Sequence, residues 1–222
     1  MAVSAIVSNH AKYSLAKKLI DLDADSLKIL LMRSGFSFNK DNHATLLNIK
    51  GTLSGTTLAI NAAKELTDSG NGFLTAGLVP GNSVTIAGFT EGGNNVTKVI
   101  STVTAGVIVF TNTSGLVEEA AGDSVSVTAN DELATGAGYT QDTKTLANTT
   151  VTEDDTNDRC EMTCDNVTWT ASGGPIGPSP GAIIYDDTAA DNAIIGYLDF
   201  GGEQTATDGA AFTINNIKIR LS

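Results

Sequence analysis

Apolar and polar positions follow two different periods along this chain. Near the N-terminus, Ala11–Ile20 puts Leu15, Leu19 and Ile20 on one side of a helical projection and Lys12, Lys17 and Lys18 largely elsewhere, which predicts a short amphipathic helix. Two to three turns do not hold in water alone, so packing must hold this one. Asp21-Leu-Asp-Ala-Asp25 ends the helix, and Leu27–Met32 predicts a strand with Leu27, Ile29 and Leu31 on one face, after which Ser34–Phe38 turns away.

From Gly51 to Ala129 the texture changes: pairs of β-branched residues alternate with Gly, Asn, Ser and Thr, and turn residues recur every eight to twelve positions. That spacing predicts a small all-β module with strands at Ser83–Ala87, Thr97–Val103, Gly106–Phe110 and Ser124–Thr128. Gly81-Asn-Ser-Val-Thr-Ile86 and Gly122-Asp-Ser-Val-Ser-Val127 share one form, turn then strand, which two similar hairpins explain without a repeat. After Asn130 the strands expected are Thr149–Thr152, Arg159–Cys164, Val167–Ala171, Ala182–Tyr185, Ala193–Phe200 and Phe212–Leu221. Ala182–Tyr185 and Ile194–Leu198 should form a hairpin across the acidic turn Asp186–Asp191. Gly173–Gly181 concentrates three of the four prolines and predicts a stiff loop.

Composition agrees with this reading. The chain has 222 residues, of which 29 are Thr, 16 Ile and 14 Val, so β-branched residues dominate over charged helix-formers. No apolar run is long enough to span a membrane, and the first ten residues have no basic stretch ahead of their apolar patch, so a secretory signal is not expected.

Charge is uneven. Residues 1–50 hold 7 Lys+Arg against 4 Asp+Glu, residues 51–129 hold 2 against 6, and residues 130–222 hold 4 against 15, giving +3, −4 and −11 of the total −12. So acidic a surface repels phosphate, and nucleic acid is excluded as the main partner.

The chemistry-bearing residue types are sparse. Cys160 and Cys164 fall on one predicted strand and one face, about 13 Å apart at ~3.3 Å per residue, beyond disulfide reach and read as free, half-buried thiols. Only His10 and His43 remain to complete a zinc set, in no recognised spacing. Asp21-x-Asp23-x-Asp25 fails as an EF-hand, because Ser26 stands where Gly is needed and Met32 where a bidentate Glu is needed. Glu153–Asp155 and Asp186, Asp187 and Asp191 would offer oxygen ligands only if they converged in space. No Gly-x-Ser-x-Gly elbow or Gly-Lys-Ser/Thr loop occurs, and Gly70-Asn-Gly, Gly92-Gly and Gly201-Gly serve turns. Neither an enzymatic activity nor a cofactor is expected.

Six pieces of sequence resemble a family of small virion proteins of tailed bacteriophages, the capsid cement or decoration proteins. They are Asp21-Leu-Asp-Ala-Asp-Ser-Leu-Lys-Ile-Leu-Leu31, Asp41-Asn-His43, Glu132-Leu-Ala-Thr-Gly-Ala-Gly-Tyr-Thr140, Val167-Thr-Trp169, Ala182-Ile-Ile-Tyr-Asp-Asp187 and Gly196-Tyr-Leu-Asp-Phe-Gly201, in order over residues 1–50 and 130–222. Members of that family pass almost directly from the His turn to Glu-Leu. The extra 51–129 looks like the Ig-like or tail-tube-associated inserts of phage structural proteins, through Gly81-Asn-Ser-Val-Thr-Ile86, Gly88-Phe-Thr90 and Gly93-Asn-Asn95.

The resemblance implies a mainly β fold: a jelly-roll-like β-sandwich core (1–50 and 130–222) with a short N-terminal helix and an inserted small β domain (51–129). It also implies a homotrimer that binds the major capsid protein on the outside of the head, with no nucleic acid or membrane as partner. Localisation is then the virion surface after synthesis in the host cytoplasm. The rivals are a tail or tail-attached structural protein and a carbohydrate- or receptor-binding module, the latter disfavoured by 5% aromatic residues. The basic face Lys12, Lys17 and Lys18 is the expected partner-binding site, with the apolar stretch Ala2–Val7 as the next candidate.

Overall fold

A computed structural model describes residues 4–221. Its elements in chain order are β1 (Ser4–Val7), α1 (Asn9–Ala16), β2 (Leu27–Leu31), α2 (Leu47–Lys50), β3 (Thr52–Gly55), β4 (Leu58–Ile60), β5 (Leu66–Asp68), β6 (Ser83–Ala87), β7 (Thr97–Val103), β8 (Val107–Phe110) and β9 (Val125–Ala129). They continue with β10 (Thr150–Asp154), β11 (Arg159–Thr163), β12 (Val167–Thr170), β13 (Ile176–Asp186), β14 (Ile194–Ala206), β15 (Ala211–Ile214) and β16 (Lys218–Leu221). The protein is mainly β, with antiparallel sheets and a short N-terminal helix. Contacts divide it into two compact units, residues 1–46 with 132–222, and residues 47–131.

The first unit is a β-sandwich. One layer is the sheet β1-β14-β13-β2; the other holds β10-β11-β16 and β12-β15. Leu27, Ile29 and Leu31 share a core with Ala182, Ile184 and Leu198 of the first layer and Met162, Trp169, Phe212 and Ile219 of the second. Each such fully buried aliphatic side chain contributes about 1.5–3 kcal/mol. The opposite face of the first layer is also covered: Leu30, Ile183 and Tyr197 stand in register and are buried, Tyr197 under Phe36 and Phe38. This explains why Leu27–Met32 reads as a nearly continuous apolar run rather than a clean alternation.

The β13–β14 hairpin forms where the alternation predicts it, with Ala182 opposite Leu198 and Ile184 opposite Gly196. Other elements differ from the sequence expectation. β13 begins inside the proline-rich segment at Ile176, and the register shifts between Ile176 and Ser179 and again before Gly181 absorb prolines that cannot donate to a ladder. The single strand expected over Phe212–Leu221 is two, in different sheets, because Asn216 adopts a left-handed φ of 54° and turns the chain between them.

α1 is shorter than expected. Ser8 caps its start, accepting a bond from the Ala11 N–H at 3.0 Å, and it ends at Ala16 because Lys18 takes a φ of 56°. This reversal breaks the helical period, so Ile20 enters the core while Leu19 swings out to 61% exposure.

The second unit has a core of its own, built from Leu58, Ile60, Leu66, Phe73, Val84, Ile86 and their neighbours. Its strands hydrogen-bond in the order β3-β9-β6-β7-β8-β5-β4. In an immunoglobulin domain the first and last strands lie in separate sheets; here β3 pairs with β9 in one ladder. Three of its strands, β3, β4 and β5, are only three or four residues long and too short to show alternation in the sequence. Gly51 C=O accepts from the Ala129 N–H at 2.8 Å, so the two ends of the insert lie side by side.

Candidate functional site

α1 and the turn after it form the most exposed apolar surface of the first unit. Lys12, Lys17 and Lys18 are all exposed and hold no ion pair among the described residues. Lys17 Nζ lies 5.9 Å above the Tyr13 ring, itself 55% exposed, whereas Lys18 lines an open groove of about 490 Å³. Of the apolar stretch Ala2–Val7, Ala2 and Val3 lie outside the described residues, and Ile6 is 37% exposed on β1.

The groove exists because the sandwich is left open at one corner. Strand pairing places Cys160 opposite Leu221 and Val151 opposite Met162, so one face of the sheet β10-β11-β16 points inward. At its end Val151, Cys160 and Leu221 line the groove together with Leu15 and Leu19. Asp21, Asp23 and Asp25 form the other wall, and Asp23 Oδ1 accepts from the Val151 N–H at 3.3 Å, covering a donor on the edge strand β10. Both signs of charge therefore flank apolar side chains, the make-up of a contact surface.

His10 makes two contacts that invite a catalytic reading: Asp191 Oδ2 at 2.8 Å and Ser14 Oγ at 3.5 Å. Both go to the same ring nitrogen, Nε2. A Ser-His-Asp relay needs the hydroxyl and the carboxylate on opposite nitrogens, so this is a hydrogen-bonded contact and not a relay.

The six resembling pieces have structural work to do. Tyr139 donates to Glu132 Oε1 at 2.7 Å and accepts from the Leu31 N–H at 3.0 Å, while the Asp142 N–H reaches the same Glu132 oxygen at 3.1 Å. Burial first, then the Glu132 charge, pushes the Tyr139 hydroxyl far above its ordinary range. Tyr139 also packs against Trp169 at 5.7 Å, and Lys144 lies over the Trp169 ring at 5.6 Å. Gly138 carries a φ of +87°, and a Cβ there would lie 2.1 Å from the Thr170 carbonyl oxygen. A Cβ at Gly196 would lie 2.6 Å from the Ile6 carbonyl oxygen, so glycine lets β1 dock on β14.

His43 is buried between Phe36 and Phe38, ring centroids 5.3 and 5.4 Å away, and its Nδ1 accepts from the Asn39 N–H at 3.0 Å. Burial lowers its pKa to about 4. Burial raises the Cys164 thiol to about 11, with Asp165 adding to the effect, and both cysteines are free.

Among the described residues no grouping of three or more His, Cys, Asp or Glu side chains is placed to hold a metal. Asp154 is instead bound by Asn157 and by Arg159 Nε at 2.9 Å. One charged cluster escaped the sequence reading: Glu161 accepts from Lys218 Nζ at 2.5 Å and Arg220 Nε at 2.9 Å, with Arg159 3.8 Å away. Its members alternate along β11 and β16, but only the pairing of those strands brings them together. In the second unit, Thr52, Thr128, Thr85 and Thr97 form an outward row across β3, β9, β6 and β7, with hydroxyls paired at 3.1–3.2 Å.

No family model, curated protein or solved structure matches the chain.

Proposed function

We propose that this chain is a non-enzymatic virion structural protein of a tailed bacteriophage: a cement or decoration protein that binds the major capsid protein on the outside of the head as a homotrimer. The reading is supported above all by where the resembling pieces fall. All six lie in the first unit, and several touch one another there: Tyr139 with Trp169 and with Leu31, and the turn before β2 with the end of β13. The extra 79 residues lie within the second unit, and their ends meet, as those of an insertion into an existing scaffold would.

On this reading the exposed α1 region (Lys12, Tyr13, Lys17, Lys18 and Leu19) faces the capsid, and cationic side chains steer the approach to an acidic shell. The test is co-sedimentation with expanded, undecorated capsids. The wild type should bind, with affinity falling as salt rises, and the triple variant Lys12→Gln, Lys17→Gln, Lys18→Gln should bind more weakly with a flatter salt dependence while remaining oligomeric. Binding to purified tails and not to heads would replace this reading with a tail-attached one.

A further inference from the structure

The groove beside α1 is apolar along its floor and acidic along one wall. Leu15 and Leu19 supply one side of the floor and Val151, Cys160 and Leu221 the other, with Leu19 and Val151 exposed. Its volume of about 490 Å³ falls within the roughly 300–1,000 Å³ of sites that hold small ligands, so it has room for a few side chains of a partner.

Asp21, Asp23 and Asp25 form the acidic wall, and Lys18 is the one basic residue on the groove. Backbone N–H groups fix all three acidic side chains. Asp21 Oδ1 accepts from the Asp23 N–H at 3.1 Å, Asp25 Oδ2 from the Asp21 N–H at 2.6 Å, and Asp23 Oδ1 from the Val151 N–H at 3.3 Å. No Lys, Arg or His side chain pairs with any of them among the described residues. Elsewhere in this unit the chain supplies its own cations: Lys28 lies on Asp187 at 2.8 Å, Arg159 on Asp154 at 2.9 Å, and Lys218 and Arg220 on Glu161. The groove is thus held in shape with its cationic complement missing.

We propose that the groove receives a segment of the partner protein in which a bulky apolar side chain stands next to a Lys or Arg. The apolar side chain covers Leu19 and Val151, and the cation lies along the Asp21–Asp25 wall, away from Lys18. An acidic segment would be repelled by that wall, and a wholly apolar one would strip water from it without replacing the lost contacts, so the groove discriminates by charge as well as by shape. This inference rests on the reading of the α1 region as the capsid-facing surface, and it names what that surface recognises.

The probes are n-octylammonium, an alkyl chain ending in a cation, and octanoate, its anionic counterpart, titrated into the full chain at about pH 7, where carboxyl groups are ordinarily ionised. Octylammonium should shift the amide resonances of Leu15, Leu19, Val151 and Leu221 saturably and bind about 5-fold or more tightly than octanoate, a preference that shrinks as salt is added. The double variant Asp21→Asn, Asp23→Asn keeps both Oδ1 acceptors and should lose that preference. It should also bind undecorated capsids roughly 3–10-fold more weakly than Glu118→Gln, Asp208→Asn, which removes as much charge from exposed positions elsewhere. Equal binding of the two probes, shifts confined to other surfaces, or equal capsid binding by the two double variants overturns the proposal. Dissociation of an oligomer by octylammonium overturns it too, since a second copy would then occupy the groove. A wild type that selects octylammonium yet ignores capsids would count against the capsid reading alone and for the recognition of an apolar group beside a cation.

Discussion

The two units reach a stable β structure by different means. In the first, strands far apart in sequence are neighbours: β1 pairs with β14, and β2 with β13, so segments more than a hundred residues apart are needed to close one sheet. A run of aromatic rings crosses its core, Tyr139 against Trp169 at 5.7 Å, Trp169 against Phe212 at 6.3 Å and Phe212 against Phe200 at 6.0 Å. Buried polar groups such as His43, Glu132 and Asp186 lie among its elements.

In the second unit the strands are short, and polar side chains hold the long turns. Asp68 accepts from Thr57 Oγ1 at 2.6 Å and from the Gly70 and Gly72 N–H groups at 2.9 and 2.7 Å. Burial acts to raise its pKa, and those three donors together bring it below the ordinary range. Asn82 donates to Asn48 C=O and to Asp131 Oδ2, at 2.7 and 2.6 Å, fastening α2, where the unit begins, to the segment after β9, where it ends. The difference teaches that the long hairpin β13–β14 organises the first unit by packing, whereas the second unit relies on turn chemistry to hold its strands.

Paired truncations should separate the two units most strongly. Trp169→Ala and Phe73→Ala each empty a buried aromatic site, and each should cost about 3–5 kcal/mol. If the units unfold separately, each variant lowers one calorimetric transition and leaves the other in place. A single transition shifted equally by both would dissolve the comparison.

Acid should act mainly on the first unit. His43 stays neutral in the fold down to about pH 4, against 6.5 for an ordinary imidazole, so the unfolded chain takes up a proton that the folded chain refuses. Stability from this group is intact above pH 6.5 and falls as pH drops toward 4, by up to about 3 kcal/mol. The difference in denaturation midpoint between wild type and His43→Gln should change sign or narrow across that window. A constant difference would mean that His43 titrates alike in the folded and the unfolded chain.

Removing the insert should cost least. Its ends meet at the Ala129–Gly51 bond of 2.8 Å, and joining Lys50 to Asn130 by a short linker should leave a soluble, oligomeric core. The unit boundary sharpens this. Ile49 is fully buried and belongs to the second unit, so a join from Leu46 to Glu132 should give the better-behaved protein, seen as a higher Tm and a cleaner sedimentation boundary. Aggregation of both shortened chains would count against an insertion.

The alternation of β-branched with small polar residues determined, by itself, that the chain is mainly β, that β6 and β7 span Ser83–Ala87 and Thr97–Val103, and that the β13–β14 hairpin forms. Those features depend on neighbours a few positions away, where the period of two and the turn residues act directly. Tertiary structure alone decided which strands pair, and with that the meeting of Ser26 with Asp187 and of Glu161 with Lys218 and Arg220. It also decided that Leu19, apolar and in helical phase, faces solvent, because a left-handed Lys18 ends α1 early, and that His43 is shut between aromatic rings. Partners distant in sequence are chosen by packing and loop closure over the whole chain, and no local period carries that choice.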